Sequence, residues 1–246
     1  MDSQGPDEKT DRRSRGGVQE KVMAALRYGL MSGLLVPGQV MSLRKLAASF
    51  GTSPMPVRES LSRLVAANAL EELPNRSVRV PRLDTESLKE IFELRARVEG
   101  MAARIAASKV TNADIARLRE INRGVKQAHK SEEIGELLRL NQQFHFALYG
   151  LINSVILMPI IEGLWLRCGP TMYFSLGSPG LWDSSSHVDI ITGLERGDPD
   201  ATETALTNDI MRTGNYLIRQ SSLGISMGPT AELSFDLAKA ANQSTF

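Results

Sequence analysis

Apolar residues recur at helical spacing along most of this chain, and the places where that rhythm breaks divide it in two. Residues 1–16 carry charge and glycine without any apolar period and read as a disordered arm. From Val18 a helix is predicted, with Val22, Leu26, Leu30 and Met31 on one face. Gly33 and Pro37-Gly38 close it in a turn. Ser42 then caps a short helix carrying Leu43, Leu46, Ala47 and Phe50, which Gly51 stops. Ser53 is the expected N-cap of a third helix with Pro54 and Pro56 in its first turn, where missing amide protons cost nothing. Leu61, Leu64 and Val65 form its buried stripe, and Arg58 and Ser62 lie on another face. Residues 70–73, 74–77 and 78–80 read as strand, turn and strand.

Pro81-Arg82-Leu83-Asp84 reads as a hinge, and after it every periodic segment is helical. Residues 85–108 repeat Leu88, Ile91, Leu94, Val98 and Ala102. Thr111 and Asp114 open the next helix in the manner of a capping box. Amphipathic segments follow at 132–151 and 154–174, then a helix from Ser184-Ser185-Ser186 to about Arg196. Asp198-Pro199 starts a last long helix running to about Arg219. The expected fold is mainly α: a winged helix-turn-helix over 17–81, then an antiparallel bundle of six or seven helices over 82–222. Residues 223–246 form a polar tail.

Composition sharpens the division. Residues 1–82 hold 13 Lys/Arg against 8 Asp/Glu, whereas 83–246 hold 16 against 20, so the formal charge of +1 conceals a basic front and an acidic rear. That asymmetry fits a nucleic-acid module joined to something else. A lone cysteine, Cys168, excludes an intrachain disulfide and a zinc finger. No apolar run reaches membrane-spanning length and the N-terminus lacks a secretory pattern, so a cytoplasmic protein is expected.

Particular residues carry a resemblance. Tyr28, Gly33, Leu35 and Pro37-Gly38, then Leu46-Ala47, then Pro56-Val57-Arg58-Glu59-Ser60-Leu61 with Leu64, resemble the DNA-binding domain of GntR-family regulators. Leu94-Arg95 with Val98-Glu99 and Ala102-Ala103, Asn141 with Phe144-His145, and His187 with Gly197-Asp198 resemble the family's FadR-type branch and its helical ligand-binding FCD domain. The resemblance spans roughly residues 18–219 and implies a homodimeric transcription repressor, not an enzyme, that binds an inverted-repeat DNA operator.

A helix-turn-helix lays its second helix in the major groove with the leading residues toward base edges. The resemblance therefore puts Ser53, Met55 and Arg58 at the DNA, with Arg58 the best candidate for a bidentate bond to guanine. It assigns Arg44 to phosphate or base contact and Arg76, at the hairpin tip, to the minor groove or backbone. Two departures stand out. Pro54 occupies a position where relatives often carry a base-reading arginine, and Ser77 replaces the expected wing glycine, requiring a positive φ or a reshaped tip.

In metal-binding members of the branch an aspartate and three histidines surround a divalent ion. The corresponding positions are read as Asn141, His145, His187 and Asn208, of which only His145 and His187 are good ligands. Three readings stay open. The cavity binds a small organic acid through these groups and Arg95; or it holds zinc or nickel weakly; or its polar residues are satisfied without a ligand. Arg95 either faces a carboxylate effector or pairs with Glu99 four residues on. A metal-assisted enzyme using His145 and His187, and a DNA-binding protein without an effector, are the rival functions.

Overall fold

The computed structural model describes residues 7–74, 77–176, 178 and 185–228. Its N-terminal unit runs α1 (Asp7–Met31), β1 (Val40–Met41), α2 (Leu43–Ser49), α3 (Pro54–Ala66), β2 (Glu71–Glu72) and β3 (Val78–Arg79). The strands form one antiparallel sheet in the order β1-β3-β2, with Met41 and Glu72 both opposite Val78. Leu73 and Ser77 extend the β2–β3 hairpin through a 2.8 Å backbone hydrogen bond. Val22, Leu26, Leu46, Val57, Leu61, Leu64, Val78 and Val80 are buried together and hold helices and wing on one core.

Local chemistry explains these boundaries. The Ser42 hydroxyl accepts from the Lys45 amide at 3.2 Å, capping α2. Ser53 stands at the N-cap of α3 with extended backbone but makes no side-chain cap bond, so its hydroxyl is not consumed by the helix. Two expectations need correction. The arm assigned to 1–16 is helical from Asp7, because a helix already nucleated over 18–31 elongates at little cost per residue. The sheet also has a third strand, β1, too short to announce itself by alternation.

The C-terminal unit contains seven described α-helices: α4 (Thr85–Ala107), α5 (Asn112–Lys130), α6 (Ile134–Gly150), α7 (Leu157–Cys168), α8 (Met172–Leu176), α9 (Ser185–Glu195) and α10 (Pro199–Ser222). Side-chain caps stand at their starts, at Thr111 and Asp198 as expected and at Asp84 within the segment read as a hinge. Asp84 accepts from the Ser87 amide at 2.8 Å, Thr111 and Asp114 make a reciprocal capping box, and Asp198 accepts from the Ala201 amide at 3.0 Å. The segment predicted as one helix over 154–174 is broken at Gly169–Thr171, where a 3₁₀ turn separates α7 from α8. Pro170 lacks the amide needed to continue the ladder. In α10, a β-carbon at Gly214 would lie 2.6 Å from the Phe92 ring of α4, so glycine is what lets these two long helices pack closely.

The inner stripe of α4 differs from the expected one. Leu94 is exposed and Val98 only half-buried, while Ile91, Phe92, Arg95, Ala96, Glu99 and Ala102 face the core. A buried salt bridge accounts for the rotation, since it places two charged residues where an apolar reading puts polar surface.

Helix α1 belongs to the winged unit through α3 yet also rests on α7 and the Gly169 turn. A β-carbon on Gly169 would collide with the Leu30 carbonyl oxygen and come within 2.8 Å of the Met31 Cα. Arg27 reaches across the same seam to Glu162 at 2.6 Å.

Candidate nucleic-acid interface and metal centre

The leading turn of α3 presents Ser53, Met55 and Arg58 to solvent, while Val57, Ser60, Leu61 and Leu64 turn inward. Met55 is 61% exposed, unusual for a large apolar side chain and suited to contact with a thymine methyl group. Arg44 and Lys45, in the first turn of α2, are exposed as well. The exposed side chains of α2 and α3 are thus rich in hydroxyl and guanidinium groups. The backbone conformation expected of Ser77 depends on Arg76 and lies outside the described residues. Arg76 lies outside the described residues.

The second cluster lies inside the bundle. Ligand atoms of His145 on α6, His187 on α9 and Asp209 on α10 all lie within 4.8 Å of one another, and all three residues are buried. Asn141, one turn before His145, lines the same small cavity with Arg95 and Trp165. Asn208 is a correction: it is exposed, and its neighbour Asp209 faces the centre. The buried face of α10 runs Thr202, Leu206, Asp209, Ile210, Gly214 and Leu217, and that 3–4 spacing passes through 209.

Hydrogen bonds orient both imidazoles. The Tyr149 hydroxyl donates to Glu99 at 2.5 Å, leaving its oxygen to accept from Nδ1 of His145 at 3.1 Å. His145 Nε2 then faces Asp209 Oδ2 at 3.4 Å. Nδ1 of His187 meets Oδ1 of Asn122 at 3.2 Å; the amide oxygen can only accept, so Nδ1 carries the proton and Nε2 the lone pair. Phe144 stacks on the His187 ring with centroids 3.9 Å apart.

Electrostatics favour ligation. Burial, reinforced by the charge of His145 and only partly offset by Asp209, pushes His187 down to about 3, so it is neutral at physiological pH. Burial alone would raise the Asp209 carboxyl; its hydrogen bond and charge interaction with His145, helped by His187 and Arg95, hold it below the usual carboxylate range. A neutral imidazole and an ionised carboxylate are ligand-ready forms.

Arg95 is committed elsewhere. Its Nε donates to Glu99 at 2.7 Å, and its guanidinium lies 4.5 Å from the centroid of the Trp165 ring. Glu99 also accepts from Trp165 Nε1 at 2.9 Å. Of the two roles weighed for Arg95, the structure displays the ion pair with Glu99. The cavity measures about 10 Å³, room for an ion or one water, whereas organic ligands occupy sites of roughly 300–1,000 Å³.

Comparison with known proteins agrees with this architecture. Residues 18–80 match the gntR family of bacterial regulatory proteins, and residues 90–212 match the FCD domain. The chain belongs to the GntR family, in its FCD-containing branch. It is 36% identical over 149 residues to the HTH-type transcriptional regulator McbR of Escherichia coli K12, covering 61% of this chain and 67% of that one. It is 25% identical over 209 residues to the HTH-type transcriptional repressor RspR of the same organism, covering 83% and 92%. The solved structure of E. coli McbR/YncC superposes with a TM-score of 0.77 at 28% identity, over 82% of this chain and 98% of that one.

GntR-family proteins are transcription regulators, and this chain is one rather than an enzyme. Among the described residues no helix is long and apolar enough to cross a membrane. Sequence reasoning missed Asp209, Asn122, Tyr149 and Trp165. The first was recoverable from the apolar rhythm of α10; Asn122 and Trp165 carry no local signal, because their partners lie 65 and 66 positions away, while Tyr149 has one partner four residues off and another 50 away.

Proposed function

We propose that this GntR-family regulator is a cytoplasmic repressor that binds an inverted-repeat operator as a homodimer. Helix α3 enters the major groove, Arg58 pairs with guanine, and Arg44 contacts phosphate. The observation that carries this reading is the leading turn of α3, whose Ser53, Met55 and Arg58 are all exposed while its rear face is buried. The repressor designation of RspR, a relative along 83% of this chain, supports the sign. Selection of bound duplexes from a random pool, followed by footprinting, tests the reading. A two-fold symmetric consensus with one protomer per half-site is expected; binding without sequence preference overturns it.

We further infer a divalent metal site, with zinc or nickel as the matching ions, in the bundle centre. The donor set fits: ligand atoms of two imidazoles and a carboxylate lie within 4.8 Å of one another, beside a cavity of about 10 Å³ that His145 and Asp209 line. His145, His187 and Asp209 would hold the ion, with Asn141 beside them. Bound there, it would neutralise the buried Asp209 charge and tie α6, α9 and α10 at one point. Operator affinity is then set by a small carboxylate metabolite acting on the helical domain, which shifts the two winged units between placements.

A further inference from the structure

Helix α6 has a second working face. Asn141 and His145 turn to the bundle centre, while Arg139, Gln142 and Phe146 turn toward α1. There a cleft of about 700 Å³ follows the seam between the two units, walled by α1 and α3 on one side and by α5, α6 and α7 on the other. That volume lies within the roughly 300–1,000 Å³ typical of small-molecule sites.

The cleft's chemistry is one-sided. Arg27, Arg63, Arg117 and Arg139 line it against only Glu20 and Glu162. Arg27 is held by Glu162 and Arg139 by Glu136, each at 2.6 Å, whereas among the described residues Arg63 and Arg117 make no close salt bridge, Arg117 interacting only at longer range with Asp114. Gln142 lines the cleft, is only 1% exposed, and its side-chain Nε2 finds no acceptor among the described residues. The amide nitrogen of Gln19, on the α1 wall, is buried in the same condition. Donors buried without acceptors are rare in folded proteins and call for an explanation. Met23, Met31, Phe146 and Met158 supply apolar lining beside Tyr28 and Gln143.

We propose that this seam cleft binds an organic carboxylate with an apolar body. The carboxylate takes hydrogen bonds from Gln142 Nε2 and the charge of Arg117 and Arg63; the body lies on the methionines and Phe146. The inference rests on the effector-controlled reading above and locates the effector outside the metal centre. It also supplies a coupling route. One wall moves with the winged unit, because α1 packs on α3, and the other belongs to the bundle, so a ligand touching both favours one placement of the two.

The test uses the full chain, 4-phenylbutyrate as probe, and 4-phenylbutan-1-ol as its uncharged counterpart. Calorimetry is expected to show millimolar or tighter binding of the acid and at least about tenfold weaker binding of the alcohol. Arg117→Gln, an exposed change, should weaken the acid about tenfold, and Ala147→Trp should fill the cleft and abolish binding, both with thermal stability retained. Absence of acid binding, or equal affinity for the alcohol, overturns the proposal. Operator affinity is read in parallel. An acid that binds the cleft without changing operator affinity would leave this site standing and refute effector control. An acid that changes operator affinity yet binds both variants like the parent would leave effector control standing and refute this site.

Discussion

Nε2 of His145 stands 3.4 Å from Oδ2 of Asp209, so one contact joins α6 to α10 across the bundle. Both atoms face the space where a divalent ion would be held, and both would be among its ligands. Calorimetric titration with zinc tests this placement. Asp209→Asn is expected to lose most of the zinc affinity, and Asn122→Ala about 10- to 100-fold through loss of the His187 orientation. Unchanged affinity in Asp209→Asn would remove the carboxylate from the site.

Acid should destabilise this protein through His187. The folded state holds it neutral down to about 3, against an ordinary value of 6.5, so between those pH values the unfolded chain binds the extra proton. Stability from this group is complete above about 6.5 and declines as pH falls toward 3, by a few kcal/mol in all. The depressed Asp209 adds a loss of the same sign at lower pH. Denaturant unfolding across this range should show a shallower acid decline in His187→Gln than in the parent.

Glu99 answers three donors at once: Arg95, Tyr149 and Trp165. Glu99→Ala should cost about 3–5 kcal/mol, because it strands a buried guanidinium. The double variant Arg95→Met with Glu99→Leu should cost markedly less than Glu99→Ala alone. Chemical denaturation of the three proteins decides the matter, and equal losses in both variants would count against the ion pair as the reason.

Arg58→Ala should abolish discrimination between the selected operator and a scrambled duplex while leaving the melting temperature within about a degree, since its side chain is exposed. Arg44→Ala should weaken binding to both duplexes alike and lower the salt dependence by about one phosphate contact. Fluorescence anisotropy at several salt concentrations separates the two effects.

Gly169→Ala should disturb the seam rather than either core. Its new methyl would collide with the Leu30 carbonyl, which backbone cannot yield without α1 shifting. A loss of about 1–3 kcal/mol is expected, together with faster hydrogen exchange at residues 28–33. An unaltered exchange pattern there would mean that α1 is not pinned at this turn.

The order of elements was legible along the chain because each is signalled locally. Caps at Ser42, Asp84, Thr111 and Asp198, the proline pair in α3 and the apolar stripes of α1 and α3 all act within a few residues. What these signals could not show is the rotation of α4. Arg95 and Glu99 look like surface residues until Tyr149 and Trp165 are brought beside them. The register of α10 is the intermediate case, where the rhythm through Leu206, Ile210 and Leu217 favours 209 over the neighbouring asparagine.

By itself, the amino-acid order determined a winged DNA-reading unit ahead of a helical bundle, since periodicity and capping depend on near neighbours. Only the tertiary structure decided that Asp209 completes the histidine pair, that Arg95 is neutralised by Glu99, and that a donor-lined cleft opens along α1. Those facts arise from side chains distant in sequence meeting in space, where burial and charge depend on the whole packed surroundings.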